Sequence, residues 1–326
     1  MSLLNQIFRP LTPQDALELE PEHLAGFKRS QRIAYDCVTQ VEQELRAGMT
    51  ERDAAHRMEE VLRGHGVREY FHRAFAWFGD RTEFARFRTN FDFFPTRRRL
   101  EPGMPVILDV APVVDGHAAD IGYACKLGES ALHDQMLLDL EPYRQLIIEG
   151  VLARRNMTDI YQDVNRLIEA QGYQNRHQRY PYRVLAHRVN YLPPRERTAL
   201  TVAGFGAPAL RYLLGRVARA KRGAEHHSPF WNDASPAARP ADPGIWAVEP
   251  HLGFRGVGVK WEELLVVTET GAYWLDDDLP HVRRFERLRA AQVSGARTPA
   301  QHSPVPISSG FSLLPRVAEL RWMIQM

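Results

Sequence analysis

The chain has 326 residues, 44% of them hydrophobic and 10% aromatic, which is enough apolar surface for one large core or two modest ones. Lys and Arg number 42 against 40 Asp and Glu, so the net charge of +2 creates no global field for nucleic acid. The two cysteines, Cys37 and Cys125, lie too far apart to form a thiolate zinc or redox motif.

The N-terminal stretch "MSLLNQIFRPLTPQDALELEPEHLAG" has neither a basic start nor an apolar core of signal-peptide length. No run of about eighteen apolar residues occurs in the sequence. With so little cysteine, these features lead us to expect a cytoplasmic protein with no membrane partner.

Between Phe27 and Val67 the spacing predicts two helices. Ile33, Cys37, Val38, Val41 and Leu45 recur at helical intervals before a break at Gly48. Thr50 and Asp53 then stand at the two positions of a capping box, followed by Ala54, Met58, Val61 and Leu62 on one face, with Gly64 and Gly66 at the end. From Tyr70 to Phe94 aromatic and charged residues alternate irregularly, as in strands and loops over a site. The segment "RRRLEPGMPVILDVAPVVDGHAADIGYACKLG" predicts a hairpin. A Pro102-Gly103 turn leads into a strand from Val106 to Val114, and an Asp115-Gly116 turn leads to a returning strand from Ile121 to Leu127. Helices are expected near Ala131 to Ala153 and, from a Thr158 cap, near Ile160 to Gln171. Strands return between Gly244 and Leu275. This order of helix, helix, hairpin, twice over, hints at two similar halves.

Asp120 follows Asp109 by eleven residues, at the other end of an apolar strand. In a hairpin such residues can converge, and converging carboxylates repel unless a proton or cation lies between them. The plainer alternative makes Asp109 a strand-end turn residue and Asp120 a solvated one. Three further donors sit in apolar runs: His187 in "YRVLAHRVNYL", Glu249 in "IWAVEPHLGF" and Glu262 in "GVKWEELLVV". Burying such acids is costly unless they are paired. Four carboxylates and one imidazole suit two divalent ions of the Mn, Fe, Co or Zn type.

The ordered set Asp, Asp, His, Glu, Glu, together with "RAGMTERDAA", "LEPGMPVILDVAPVVDGHAADIGY", "AVEPHLGF" and "GVKWEELLVVTETGAYWL", resembles the pita-bread metallopeptidases. These are the methionine aminopeptidase, Xaa-Pro aminopeptidase, prolidase and creatinase group, and the resemblance runs from about Phe27 to Leu275. It implies an α+β fold, a curved antiparallel sheet flanked by helices in two pseudo-symmetric halves. It further implies that Asp109 holds one metal, His187 and Glu249 the other, and that Asp120 and Glu262 bridge. Glu249 would orient or deprotonate a bridging water, and the hydroxide so formed would attack an amide carbonyl. The implied organisation is an N-terminal extension (1–24), a catalytic domain (25–282) without the N-terminal domain of creatinase, and a linker with a tail helix (283–326). In that tail Val317, Leu320 and Ile324 share one face, which fits docking on this domain or on a second subunit of a homodimer.

The sequence also departs from the family pattern. Ala186 and Arg188 flank His187 where the family has glycines, and Pro194 stands where a second histidine is usual. His227, twenty-two residues before Glu249, suits the family's substrate-facing, catalytic histidine, with His226 as the competing choice. A third family histidine aligns by distance with Asp92, which otherwise reads as a turn residue. Between Arg176 and Arg222 there are eleven basic residues and only Glu196 as an acid. This insertion, near 188–222, is either a solvated helix face or a basic lid in which Arg188 binds an anionic substrate. It offers no base-reading module for nucleic acid. The expected activity is hydrolysis of C–N amide bonds by an aminopeptidase or dipeptidase of the Xaa-Pro type acting on small peptides. The alternatives are a specialised enzyme of an unusual amide or amino acid, oxidative if iron is bound, and a non-catalytic binding protein.

Overall fold

The computed structural model describes residues 13–223 and 228–293. Within them, the helices in chain order are α1 (Pro13–Glu18), α2 (Pro21–Glu44), α3 (Glu51–Gly64), α4 (Ala131–Leu140), α5 (Pro142–Leu152), α6 (Met157–Ala170), α7 (Ala207–Lys221) and α8 (Pro280–Val293). The strands of the first half are β1 (Glu69–Phe78), β2 (Pro105–Val114), β3 (His117–Ala118) and β4 (Ile121–Lys126). Those that follow are β5 (Gln174–Asn175), β6 (Ala186–Arg188), β7 (Thr201–Val202), β8 (Phe205–Gly206) and β9 (Phe230–Trp231), then β10 (Gly244–Val248), β11 (His251–Phe254), β12 (Val257–Lys260), β13 (Glu263–Val267) and β14 (Ala272–Trp274).

Local chemistry sets the helix boundaries. Thr50 and Asp53 form the reciprocal capping box, and Ala54, Met58, Val61 and Leu62 are buried on the inner face of α3. The helical stretch expected from Ala131 to Ala153 is divided at Pro142, which has no N–H to continue the α4 ladder. The cap of α6 is Asn156 and not Thr158, because the helix begins at Met157.

Strands β3, β2, β1, β8 and β7 form one antiparallel sheet, with β4 also on β2, and β14, β13, β10, β6 and β9 form a second. A third joins β12, β11 and β5. Asp115 and Gly116, both at positive φ (49° and 86°), make the tight turn between β2 and β3. One apolar cluster fills the space under α2 and α3, and another that under α4, α5 and α6. A third contains Phe71, Ala111, Val189, Ala247 and Leu264, drawn from both large sheets. No helix among the described residues is long and apolar enough to cross a membrane.

The basic insertion is structured. Its β8 pairs with β1 through Phe205 opposite His72, and α7 follows directly. Gly206 lies so close to β1 that a Cβ there would stand 1.9 Å from the Tyr70 carbonyl oxygen. Helix α8 runs past the boundary expected at residue 282 and buries Phe285 in the core. The tail with Val317, Leu320 and Ile324 lies outside the described residues.

Several histidines are buried uncharged. His177 accepts a hydrogen bond from Asn175 (2.8 Å) and packs edge-on to Tyr161. Burial, aided by Arg183, lowers its pKa to about 3. The unfolded chain therefore takes up this proton first, near the ordinary value of ~6.5, so His177's contribution is intact above that pH and falls as pH drops towards 3. Between pH 7 and 5 the wild type is expected to lose about 2 kcal/mol more than His177→Phe in denaturant titrations. Equal losses would show that the folded protein already protonates this ring.

Candidate metal centre

Ladder register gathers the donors. Asp109 of β2 lies opposite Gly122 of β4, and Val113 opposite Ala118, so Asp120 falls beside Ala111 on the face that carries Asp109. On the other side of β2, His72 of β1 also pairs with Ala111. A bulge makes this possible: two β1 residues between His72 and Phe75 oppose one on β2, which shifts His72 onto the aspartates' face. The small side chain of Ala111 leaves the gap in which His72 Nε2 meets Asp120 Oδ1 at 2.9 Å and Asp109 Oδ1 at 3.2 Å.

The second large sheet supplies the remaining groups. His187 of β6 pairs with Ala247 of β10, and Glu249 and Glu262 leave the adjoining end of the β10–β13 ladder. A backbone bond ties the two sheets here, from Glu262 N–H to the Gly122 carbonyl (3.0 Å), and another, from Glu249 N–H to the Leu185 carbonyl (2.8 Å), continues the β10–β6 pairing to Glu249. His187 Nε2 lies 3.2 Å from Asp120 Oδ2 and 3.8 Å from Glu262 Oε1, while Phe71 stacks on its ring. Asp109, Asp120, His187, Glu249 and Glu262, the residues expected to converge, are thus brought together and buried.

Two residues unforeseen in the sequence join them. One is His72. The other is Lys260 of β12, whose Nζ donates to Asp109 Oδ2 (3.0 Å), Glu249 Oε2 (2.9 Å) and Glu262 Oε2 (2.9 Å). Their signal was present: a histidine in "YFHRAFAWF" and a lysine in "GVGVKW" are as costly to bury unpaired as the acids already singled out.

The charges shape one another. Burial disfavours a charged His72, but Asp120 and Asp109 outweigh it and hold its pKa well above the ordinary value. Burial likewise opposes charge on His187, and Asp120 again prevails and raises its pKa. Burial would push Asp120 up, yet the two imidazoles together hold it far below the usual carboxylate range. Burial raises the pKa of Glu249, and burial with its anionic neighbours Asp120 and Glu249 raises that of Glu262 further.

The donor atoms fit divalent ions. His72, Asp109 and Asp120 form one group of three whose ligand atoms lie within 4.8 Å of one another, and Asp120, His187 and Glu262 form another. Asp120 belongs to both, so it can serve two ions. Nitrogen and oxygen donors without sulfur suit Mn, Fe, Co or Zn.

The other expected contacts lie elsewhere. Arg188 is fully buried. Its guanidinium donates to the Pro243 carbonyl (2.6 Å), faces Glu18 (3.6 Å) and lies over the Trp246 ring. It is a packing group, and the reading of it as a substrate fork is corrected. Asp92 caps its own turn, accepting N–H bonds from Arg88 and Thr89, and its carboxylate is not in the cluster. Two short 3-10 turns lie between β1 and β2, and the histidine of β1 that joins the cluster is His72. His226 and His227 lie outside the described residues.

Comparison with known proteins agrees with this geometry. The model of metallopeptidase family M24 matches residues 25–269. A search of curated proteins finds no match. Among solved structures, an X-Pro aminopeptidase from Thermotoga maritima is similar at TM-score 0.58 and 17% identity, over 82% of this chain and 64% of that one. The prolidase from Pyrococcus horikoshii OT3 is similar at 0.57 and 15%, over 78% and 62%. The Xaa-Pro dipeptidase from Bacillus anthracis is similar at 0.56 and 17%, over 80% and 62%. The chain thus spans under two thirds of the length of these structures, and the likeness is one of fold, the α+β pita-bread architecture. With the family model covering most of the sequence and the donors gathered between its sheets, the chain belongs to metallopeptidase family M24.

Proposed function

We propose that the protein is a metal-dependent hydrolase of C–N amide bonds, an aminopeptidase or dipeptidase of the Xaa-Pro type acting on small peptides. The observation that carries this reading is the convergence of Asp109, Asp120, His187, Glu249 and Glu262 in one buried cluster. Two divalent ions held there would supply Lewis acidity towards the amide carbonyl and acidify a water. Around them the protein contributes proton transfer and shape. Glu249, with its pKa raised by burial, is suited to take a proton and return it to the leaving nitrogen. The carbonyls of Arg73 and Arg188 hold His72 and His187 by their Nδ1 atoms, which leaves each Nε2 turned towards Asp120. His227, or His226 beside it, is assigned the contact with the peptide. Cys37 and Cys125, buried and free, support a cytoplasmic setting.

Full-length protein supplied with Mn(II) is expected to release proline from Xaa-Pro dipeptides, to stop on chelation and to recover on adding metal back. One observation favours a second reading, a fold that binds peptides without turnover: Lys260 already bonds to three of the cluster's carboxylates. Metal-dependent peptide binding without cleavage across a dipeptide panel would establish that reading instead.

A further inference from the structure

Lys260 sits in the middle of the acidic cluster, and its surroundings are built for it. The side chain is 1% exposed, and its three acceptors, Asp109, Glu249 and Glu262, match the three N–H donors of an ammonium group. Room for the chain comes from Gly122 on β4. A Cβ at that position would fall 2.3 Å from Lys260 Cε and 2.8 Å from Cδ and Nζ. Gly122 lies in a regular ladder opposite Asp109, where no turn requires glycine. Above the ammonium lies the ring of Tyr180, 4.9 Å from Nζ, whose hydroxyl is fixed by a 3.1 Å hydrogen bond with His251 Nδ1. A glycine channel, an aromatic face and three carboxylates thus form a seat for one specific cation, which the chain itself carries.

That seat uses oxygen atoms that ions would need. With Lys260 in place, Asp109 Oδ2, Glu249 Oε2 and Glu262 Oε2 are engaged, and the two three-donor groups, His72–Asp109–Asp120 and Asp120–His187–Glu262, are left with only the second oxygen of Asp109 and of Glu262. Once ionised, four carboxylates balance two divalent ions, so the lysine's charge is in excess when both ions are present. With a single divalent ion, the lysine supplies half of the remaining positive charge.

We propose that Lys260 is a built-in cation that competes with one of the two divalent ions. The first ion then enters with the ammonium in place, and the second enters against its charge, as the ammonium gives up its hold on the carboxylates. This rests on the reading of the cluster as a metal centre and adds the inequality of its two steps.

The test is titration of chelator-stripped, full-length protein with Mn(II), followed by calorimetry and by the EPR spectrum of the bound ion. The wild type is expected to bind one equivalent with the spectrum of isolated ions, and a second at least about tenfold more weakly. Lys260→Met, which keeps length without charge, is expected to tighten the second step by about tenfold or more and to give a spin-coupled pair at two equivalents. Gly122→Ala keeps the charge but fills the channel, and should shift the second step in the same direction. If Lys260→Met does not fold, the wild-type steps and Gly122→Ala decide the matter. Two equal steps in the wild type, or an unchanged second step in both variants, would overturn the competition and leave the metal centre standing. Absence of Mn(II) binding with and without Lys260 would overturn the metal centre as well.

Discussion

Replacing Asp120 by alanine is expected to abolish tight binding of divalent ions and, with it, peptide hydrolysis. Asp120 is the one residue shared by both three-donor groups, so its loss leaves each with two donors. In the metal-free protein it also sits against both imidazoles, 2.9 Å from His72 Nε2 and 3.2 Å from His187 Nε2, the ring atoms that would turn to the ions. Losing a group that only orients a ligand typically weakens metal affinity by about 10–100-fold, so losing a direct ligand shared by two ions should cost ~100-fold or more. The substitution further removes the anion that raises both histidines' pKa values, so both rings should titrate lower in the metal-free variant. Metal content after dialysis, Mn(II) calorimetry and histidine NMR titration check the three consequences separately. Asp92→Ala is the control, because Asp92 caps a surface turn and should change none of them. An Asp120→Ala protein that retains wild-type metal content would show that the cluster holds ions in some other way, or not at all.

The parts of the site legible in the sequence are those where the chemistry is local. The β2–β4 hairpin is written in the Pro102-Gly103 and Asp115-Gly116 turns and in strict apolar runs, and these fix the register that sets Asp120 beside Ala111. Acids stranded in apolar strands, Glu249 and Glu262, show themselves by the cost of burying them. His72 was missed because simple alternation puts Arg73, not His72, on the face of Phe75 and Asp109; only the bulge reverses this, and a bulge is a property of two strands together. Asp92, reached by counting back from Asp109, caps the 3-10 turn at Asn90–Phe93, and a count along the chain carries no information on which way a side chain turns. Lys260 could have been found, since it breaks a buried strand as plainly as Glu262 does two residues later.

Arg188 shows how adjacency in sequence misleads in a strand, and it gives the second large expected effect. Successive residues of β6 point to opposite faces, so His187 turns to the carboxylates while Arg188 turns away, under α1. There it is wholly buried with Glu18, donates to the Pro243 carbonyl, and occupies space opened by Gly244, where a Cβ would stand 1.8 Å from a guanidinium nitrogen. Glu18 in turn accepts the Tyr191 N–H at 3.0 Å and so ties α1 to the segment after β6. Removing the guanidinium takes from a buried carboxylate the cation that faces it at 3.6 Å, and breaking a buried pair typically costs about 3–5 kcal/mol. Arg188→Met is therefore expected to lower the unfolding free energy by about that much. The double variant Arg188→Met with Glu18→Gln should recover part of the loss, because it removes both charges of the buried pair together. On substrates, Arg188→Met should reduce kcat/KM for an acidic peptide and for its neutral amide by the same factor, since the side chain faces the core. A selective loss on the acidic peptide with stability unchanged would instead mean that Arg188 leaves Glu18 and reaches the substrate during turnover.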